Sequence, residues 1–242
     1  MSFSNSKWIS RSLLETLRVK TALYHQHKIP KDIPIIVISN HRSFLDAPLL
    51  IEAIPTRLRI ACHHYMGKTP GLKEIIKLLD CFPLATSKQK QQHFFDIAEK
   101  LLDSQQWVGL FPEGAQPMVD PTMPGEIGKF QRGFAHLAYR LPVDNLAVLP
   151  VAIASIKETI YPTFPIRWLS MLDGSEPFFQ QDGLHPLVIY HSVKVLFGDP
   201  YLITAEDKAH YSGKSGIKLA NDLVENCETQ IRDLLQAGCY GQ

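Results

Sequence analysis

Short apolar runs, each closed by turn residues and set apart by helical repeats, constrain this chain more than any other feature. Runs at 35–39, 58–63, 82–85, 108–111, 147–154 and 187–197 have the length and composition of strands. Between them, Leu72, Ile75, Ile76 and Leu79 recur at helical spacing. Phe94, Ala98, Leu101 and Leu102 do the same, as do Ile127, Phe130, Phe134, Leu137 and Leu141. Ile217, Ala220, Val224, Ile231 and Leu234 predict a C-terminal helix. Strands alternating with helices predict an α/β fold: a single domain with a mixed, mostly parallel central sheet flanked by helices. A chain of 242 residues, 45% of them hydrophobic, can fill one such core. Residues 173–186 are polar, carry Gly and Pro, and read as a loop.

In such sheets functional side chains gather where strands end. The run 35–39 ends in Asn40-His41-Arg42-Ser43-Phe44-Leu45-Asp46. Inside one helix, His41 and Asp46 would lie roughly 140° apart, because each residue turns the chain by about 100°. His41 is therefore expected in the turn after the strand, with Asp46 at the start of the next helix and able to reach back. A neutral imidazole takes a proton from a hydroxyl near neutral pH, and a carboxylate fixes its tautomer. The pair has a second reading. Asp46, followed by Ala47-Pro48, has the makings of an N-cap, and Ser43-x-x-Asp46 resembles a capping box. A carboxylate has two oxygens, so both roles can coexist.

A second strand ends in Phe111-Pro112-Glu113-Gly114, and Gly128-Lys129-Phe130-Gln131-Arg132-Gly133-Phe134 opens a helix. Taken alone, Phe-Pro-Glu-Gly is equally an ordinary turn. A third strand contains Leu149-Pro150-Val151-Ala152-Ile153. In order and spacing, these three blocks resemble the glycerolipid (phospholipid/glycerol) acyltransferase family, which includes the 1-acylglycerol-3-phosphate acyltransferases. The resemblance covers roughly residues 30 to 200.

The resemblance implies a mechanism. His41 is the expected general base on an acceptor hydroxyl, and Asp46 its orienting carboxylate. The expected product is an acyl group moved from an acyl thioester, acyl-CoA or acyl-carrier protein, to a glycerolipid acceptor. That acceptor is first of all 1-acylglycerol-3-phosphate, in phospholipid synthesis. Glu113 would sit in the acceptor site and accept from glycerol hydroxyls, beside Phe111, Pro112 and Gly114. Arg132 could bind phosphate, although an arginine on a helix is usually a solvated face. Asn40 and Ser43 would hold the turn, with Ser43 also at the substrate site. No metal and no cofactor beyond the acyl donor is implied.

Two departures bear on the acceptor. The family's third block usually continues Thr-Arg-Ser, whereas this chain has Ala115-Gln116-Pro117. Its second block usually carries an arginine, and the stretch 80–88 offers only Lys88. Arginine grips phosphate as a fork and lysine as a point charge, so the exchange is not neutral. A lyso-lipid with another headgroup, or a neutral alcohol, is the alternative acceptor. A membrane-associated protein that keeps the fold without catalysis is the rival class.

Net charge is only +1, which argues against nucleic acid as a partner. Residues 1–31 nevertheless hold Lys7, Arg11, Arg18, Lys20, Lys28 and Lys31 against Glu15 alone. Trp8, Ile9, Leu13, Leu17 and Tyr24 fall near helical spacing in the same segment. Residues 1–30 are thus read as a basic amphipathic segment ahead of an acyltransferase domain at 31–242. It is either a helix for an anionic membrane surface or a helix packed on the domain. The longest uninterrupted apolar stretch, 146–154, is far below the roughly 20 residues of a membrane span. The first residues lack the pattern of a signal peptide. Together these predict a peripheral protein on the cytoplasmic face of a membrane. Cys62, Cys81, Cys227 and Cys239 show no Cys-x-x-Cys spacing and read as free thiols.

Three other motifs fail. Gly213-Lys214-Ser215 lacks the phosphate-loop glycine five positions earlier, where Lys208 stands. Cys62-His63-His64 would alternate faces on a strand and has no second ligand pair. No Gly-x-Ser-x-Gly elbow of a serine esterase is present.

Overall fold

The chain is described from a computed structural model that covers residues 3–62, 72–83, 88–171, 174 and 177–241. The sheet is organised around β2 (Ile35–Ser39), which is buried at every residue. It pairs in parallel with β5 (Trp107–Leu110) on one side and β6 (Leu146–Pro165) on the other. Alternate side chains of β2 enter opposite layers. Ile36 and Ile38 join a core with Phe134, Leu137, Leu223 and Ile231, while Ile35 and Val37 join one with Leu45, Leu49 and Leu50. A strand covered on both faces reads as a continuous apolar run, which is why this one is plain in the sequence.

Beyond β5 lie β3 (Leu58–Cys62) and β4 (Phe82–Pro83), both parallel. Beyond β6 lies β7 (Leu184–Phe197), antiparallel to it, and then β1 (Lys20–Tyr24), parallel to β7. The order is β1-β7-β6-β2-β5-β3-β4, with β8 (Tyr201–Ile203) pairing the start of β6. Helix α2 (Asp46–Ala53) crosses from β2 to β3, α3 (Leu72–Leu78) from β3 to β4, and α4 (Lys88–Asp103) from β4 to β5. The link from β5 to β6 carries α5 (Gln116–Val119) and α6 (Gly133–Arg140). After β8 come α8 (Ala205–Ala209) and the long α9 (Gly213–Tyr240). The α9 axis runs so close to the sheet that a Cβ on Gly238 would lie 2.7 Å from the Ala154 Cβ. The architecture is the expected mostly parallel sheet flanked by helices.

Three departures from the sequence reading stand out, and exposure accounts for the first two. The 1–30 segment is not one helix through Tyr24. Helix α1 (Phe3–Thr16) stops, Arg18 takes a left-handed φ of 54°, and the chain enters β1. That strand is exposed along its whole length, so it has no apolar signature. Leu14 sits in the core, Lys7 donates to the Ile54 carbonyl and Arg11 bridges Glu52. The strand expected to end at Ala154 continues to Pro165, leaving the two-sided core and running on as a hairpin paired with β7. Within 173–186, the described residues include a 3₁₀ turn at Pro177–Gln180 and the first residues of β7. The far half of the hairpin, with α7 (Arg167–Ser170) at its tip, exposes Tyr161, Trp168, Met171 and Leu184. The ends of the strands expected at 58–63 and 82–85, with His63 and His64, lie outside the described residues. All four cysteines are free. No helix among the described residues is long and apolar enough to cross a membrane.

Candidate active site

The turn between β2 and α2 is built by its own side chains. Asn40 continues the sheet where the backbone leaves it. Its amide donates to the Ile153 carbonyl at 3.1 Å and accepts from the Ile153 N–H at 2.8 Å. His41 follows, and Asp46 is the first residue of α2 rather than its N-cap, a place held by Leu45 without a side-chain bond. Asp46 instead organises the turn before it. Its Oδ2 accepts from the backbone N–H of Arg42 at 2.6 Å and of Ser43 at 2.8 Å, and from His41 Nδ1 at 2.8 Å. Its Oδ1 accepts from the Tyr190 hydroxyl at 2.9 Å. The carboxylate is wholly buried, and these donors replace the water it has lost. A carboxylate only accepts, so Nδ1 carries the proton and Nε2 is the nitrogen left to take one.

The strand end of β5 lies directly beside it. The Phe111 ring stacks on the His41 imidazole, centroids 4.2 Å apart and planes within 14°, which fixes the ring's tilt. Glu113 is 4% exposed and has both oxygens engaged. Oε1 accepts from the His41 N–H at 2.8 Å, and Oε2 from the Gly128 N–H at 2.6 Å. Burial pushes its carboxyl above the usual range, and the two amides counter that rise. Expected as an acceptor for substrate hydroxyls, Glu113 ties the histidine turn to the 128–131 segment. A Cβ at Gly128 would stand 2.9 Å from Oε2, so any side chain there would push the Glu113 carboxylate aside. Pro112 is buried and its carbonyl accepts from the Gln131 N–H at 2.8 Å, while Gly114 turns the chain at φ 73°.

His41, Asp46, Phe111, Pro112, Glu113 and Gly114 are thus brought together; the other expected residues are placed differently. Ser43 is buried, its hydroxyl donating to the Val188 carbonyl at 2.7 Å and accepting from the Leu45 N–H at 3.1 Å. Arg132 is exposed and donates to Asn221 on α9 at 3.3 Å. Lys88 begins α4, but its side chain lies outside the described residues, as do residues 84–87 of the same block. Near that block, Asp80 is held by Arg57 at 2.5 Å and by Arg59 at 3.3 Å.

The sequence reading missed Tyr190, Glu158 and the part played by Arg42. Arg42 forks onto Glu158 with contacts of 3.1 and 2.5 Å, and little of either side chain is exposed. Burial would raise the Glu158 carboxyl, but Arg42 holds it below its ordinary range. Glu158 and Tyr190 face each other across the β6–β7 hairpin. The hairpin therefore grips the histidine turn at Ile153, Glu158, Val188 and Tyr190. The only trace of this in the sequence is an arginine inside the His-x4-Asp stretch.

An imidazole backed by a buried carboxylate, at the ends of neighbouring parallel strands, has the chemistry to take a proton at its free nitrogen. The chain belongs to the Acyltransferase family, whose model matches residues 20–154. It is similar to an N-acylphosphatidylethanolamine synthase of Arabidopsis thaliana, 26% identical over 180 residues, which are 71% of this chain and 57% of that protein. The chain thus spans under two thirds of the length of that relative. In fold it is similar to the crystal structure of the 1-acyl-sn-glycerophosphate (LPA) acyltransferase PlsC from Thermotoga maritima. That likeness covers 96% of this chain and 79% of the other at a TM-score of 0.58, with 17% identity.

Proposed function

We propose that the protein is an O-acyltransferase carrying a fatty acyl group from acyl-CoA or acyl-carrier protein to the hydroxyl of a glycerolipid, first of all 1-acylglycerol-3-phosphate. The observation that carries this reading is the 2.8 Å contact between His41 Nδ1 and a buried, fully solvated-by-protein Asp46. Nε2 removes the acceptor's hydroxyl proton as the oxygen attacks the thioester carbonyl. Asp46 balances the imidazolium charge. The tetrahedral intermediate collapses, the C–S bond breaks, and the imidazolium returns the proton to the departing thiolate. The substrate's own oxygen is the nucleophile, so no acyl-enzyme forms.

A second acceptor reading is favoured by Ala115-Gln116-Pro117 and by the placement of Arg132 beside Asn221. Without arginines from the second and third blocks, the acceptor becomes a lyso-lipid of another headgroup or a neutral alcohol. Delivery is proposed from an anionic membrane surface on its cytoplasmic face, to which the protein binds peripherally. Trp8 at 68% exposure, with Arg18, Lys20 and Lys31 in solvent, supports this, while Lys7, Arg11 and Lys28 are engaged within the protein.

The test is acyl transfer from each donor to a panel of lysophosphatidate, lysophosphatidylethanolamine, phosphatidylethanolamine and a neutral monoacylglycerol. His41→Ala is expected to abolish transfer while keeping the fold, by about 10²–10⁴ in rate for the general-base part alone. Near-normal turnover in that variant would overturn the assignment. Among the hydroxyl acceptors, the one used fastest decides between the two acceptor readings; fastest transfer to the phosphatidylethanolamine amine would overturn both.

A further inference from the structure

We propose that Tyr190 is a positioning residue of the acyl-transfer reaction, acting through Asp46 to keep the His41 imidazole oriented and charge-balanced. The proposal rests on the general-base reading above. Three features of the geometry support it. First, the other donors to Asp46 all come from the same turn and all converge on Oδ2. Oδ1 would be a bare acceptor in a site closed to water, and the Tyr190 hydroxyl, 2.9 Å away, fills that place.

Second, Tyr190 reaches Asp46 from a different part of the fold. It sits on β7 opposite Glu158 of β6, and Glu158 in turn holds Arg42, the residue after the histidine. Two residues before Tyr190, the Val188 carbonyl holds Ser43. The carboxylate is therefore fixed against the hairpin as well as against its own turn. Both Tyr190 and Glu158 lie beyond residues 20–154, the stretch that matches the family. Third, the phenol stays protonated. Burial and the neighbouring Asp46 charge push it well above its ordinary range, so it donates throughout the working pH range. Among the described residues, the titratable and charged groups around this cluster are His41, Asp46, Glu113, Arg42 and Glu158, with Cys239 of α9 beside the Arg42–Glu158 pair and Lys194 of β7 near Cys239.

A buried tyrosine could also do no more than fill space and satisfy its own hydroxyl. The experiment separates the two. Tyr190→Phe removes the hydroxyl and keeps the ring. Val193→Ala, in the core of the same strand, serves as a control for loss of packing alone. Steady-state kinetics across pH are expected to show kcat down about tenfold in Tyr190→Phe with KM little changed, the scale of one charge-assisted hydrogen bond. The acid limb of kcat/KM moves to higher pH, because a carboxylate short of one donor makes the His41–Asp46 pair take up a proton more readily. Val193→Ala lowers the melting temperature and leaves the limb in place.

The proposal is overturned if Tyr190→Phe keeps both the rate and the limb, or loses rate with no movement of the limb. If Tyr190→Phe does not fold, 3-fluorotyrosine placed at position 190 preserves shape and strengthens the donor. The limb must then move to lower pH, and a fixed limb overturns the proposal. Full activity in His41→Ala would instead strike the general-base reading itself, so the two failures are distinguishable.

Discussion

Replacing Asp46 by Asn changes one charge and almost no volume, and the surrounding donors dictate how the new side chain sits. At the Oδ2 position three N–H groups converge: Arg42 N, Ser43 N and His41 Nδ1. An amide NH₂ placed there would face three donors. Its oxygen must occupy that position, leaving the NH₂ toward Tyr190, whose hydroxyl can rotate to accept. The turn and the histidine tautomer therefore survive, and only the negative charge is lost. Opposite unit charges about 4 Å apart at an effective dielectric near 20 attract by roughly 4 kcal/mol. Removing that support from the imidazolium is expected to lower kcat by about 10³, with KM and the circular-dichroism spectrum unchanged. The assay is steady-state transfer from acyl-CoA to a saturating lyso-lipid. A drop of less than about tenfold would refute the claim that the Asp46 charge sustains the reaction. Loss of folding would show that the charge is needed first to build the turn.

The remaining predictions concern the braces around that pair. Glu113→Gln must turn an NH₂ toward either the His41 or the Gly128 N–H, both donors, so one buried hydrogen bond is lost at about 1–3 kcal/mol in urea denaturation. Because burial raises the Glu113 carboxyl, the native state holds that proton to higher pH than the unfolded chain. Wild-type stability relative to Glu113→Gln should then fall as pH rises through the unfolded and then the folded carboxyl range, and a rise would contradict this. Glu158→Ala strands the buried Arg42 guanidinium and is expected to cost about 3–5 kcal/mol, read as a lower urea midpoint. A midpoint within error of wild type would show that the pair does not hold the turn to the hairpin.

Legibility in the sequence followed burial. Residues 35–39 stood out because both faces of β2 are covered, and Asn40 to Asp46 stood out because a short motif acts within its own turn. Phe111 to Gly114 was legible as a block. What the sequence did not carry is that the Glu113 oxygens also accept from two backbone amides, one of them fifteen residues on. The exposed edge strand β1 was invisible, since nothing in Lys20–Tyr24 alternates into a core. The outer half of β6 was hidden for the same reason.

The sequence alone determined the alternation of strands and helices, the place of His41 at a strand end and the acid able to reach it. These are local matters, set by periodicity and by residues within one turn. Only the tertiary structure decided which donors surround Asp46 and what Glu113 holds. It also decided that a hairpin more than a hundred residues further along the chain braces the histidine turn through Glu158 and Tyr190. Such contacts join residues 116 and 144 positions apart. They depend on strand register and close packing, which no stretch of sequence carries by itself.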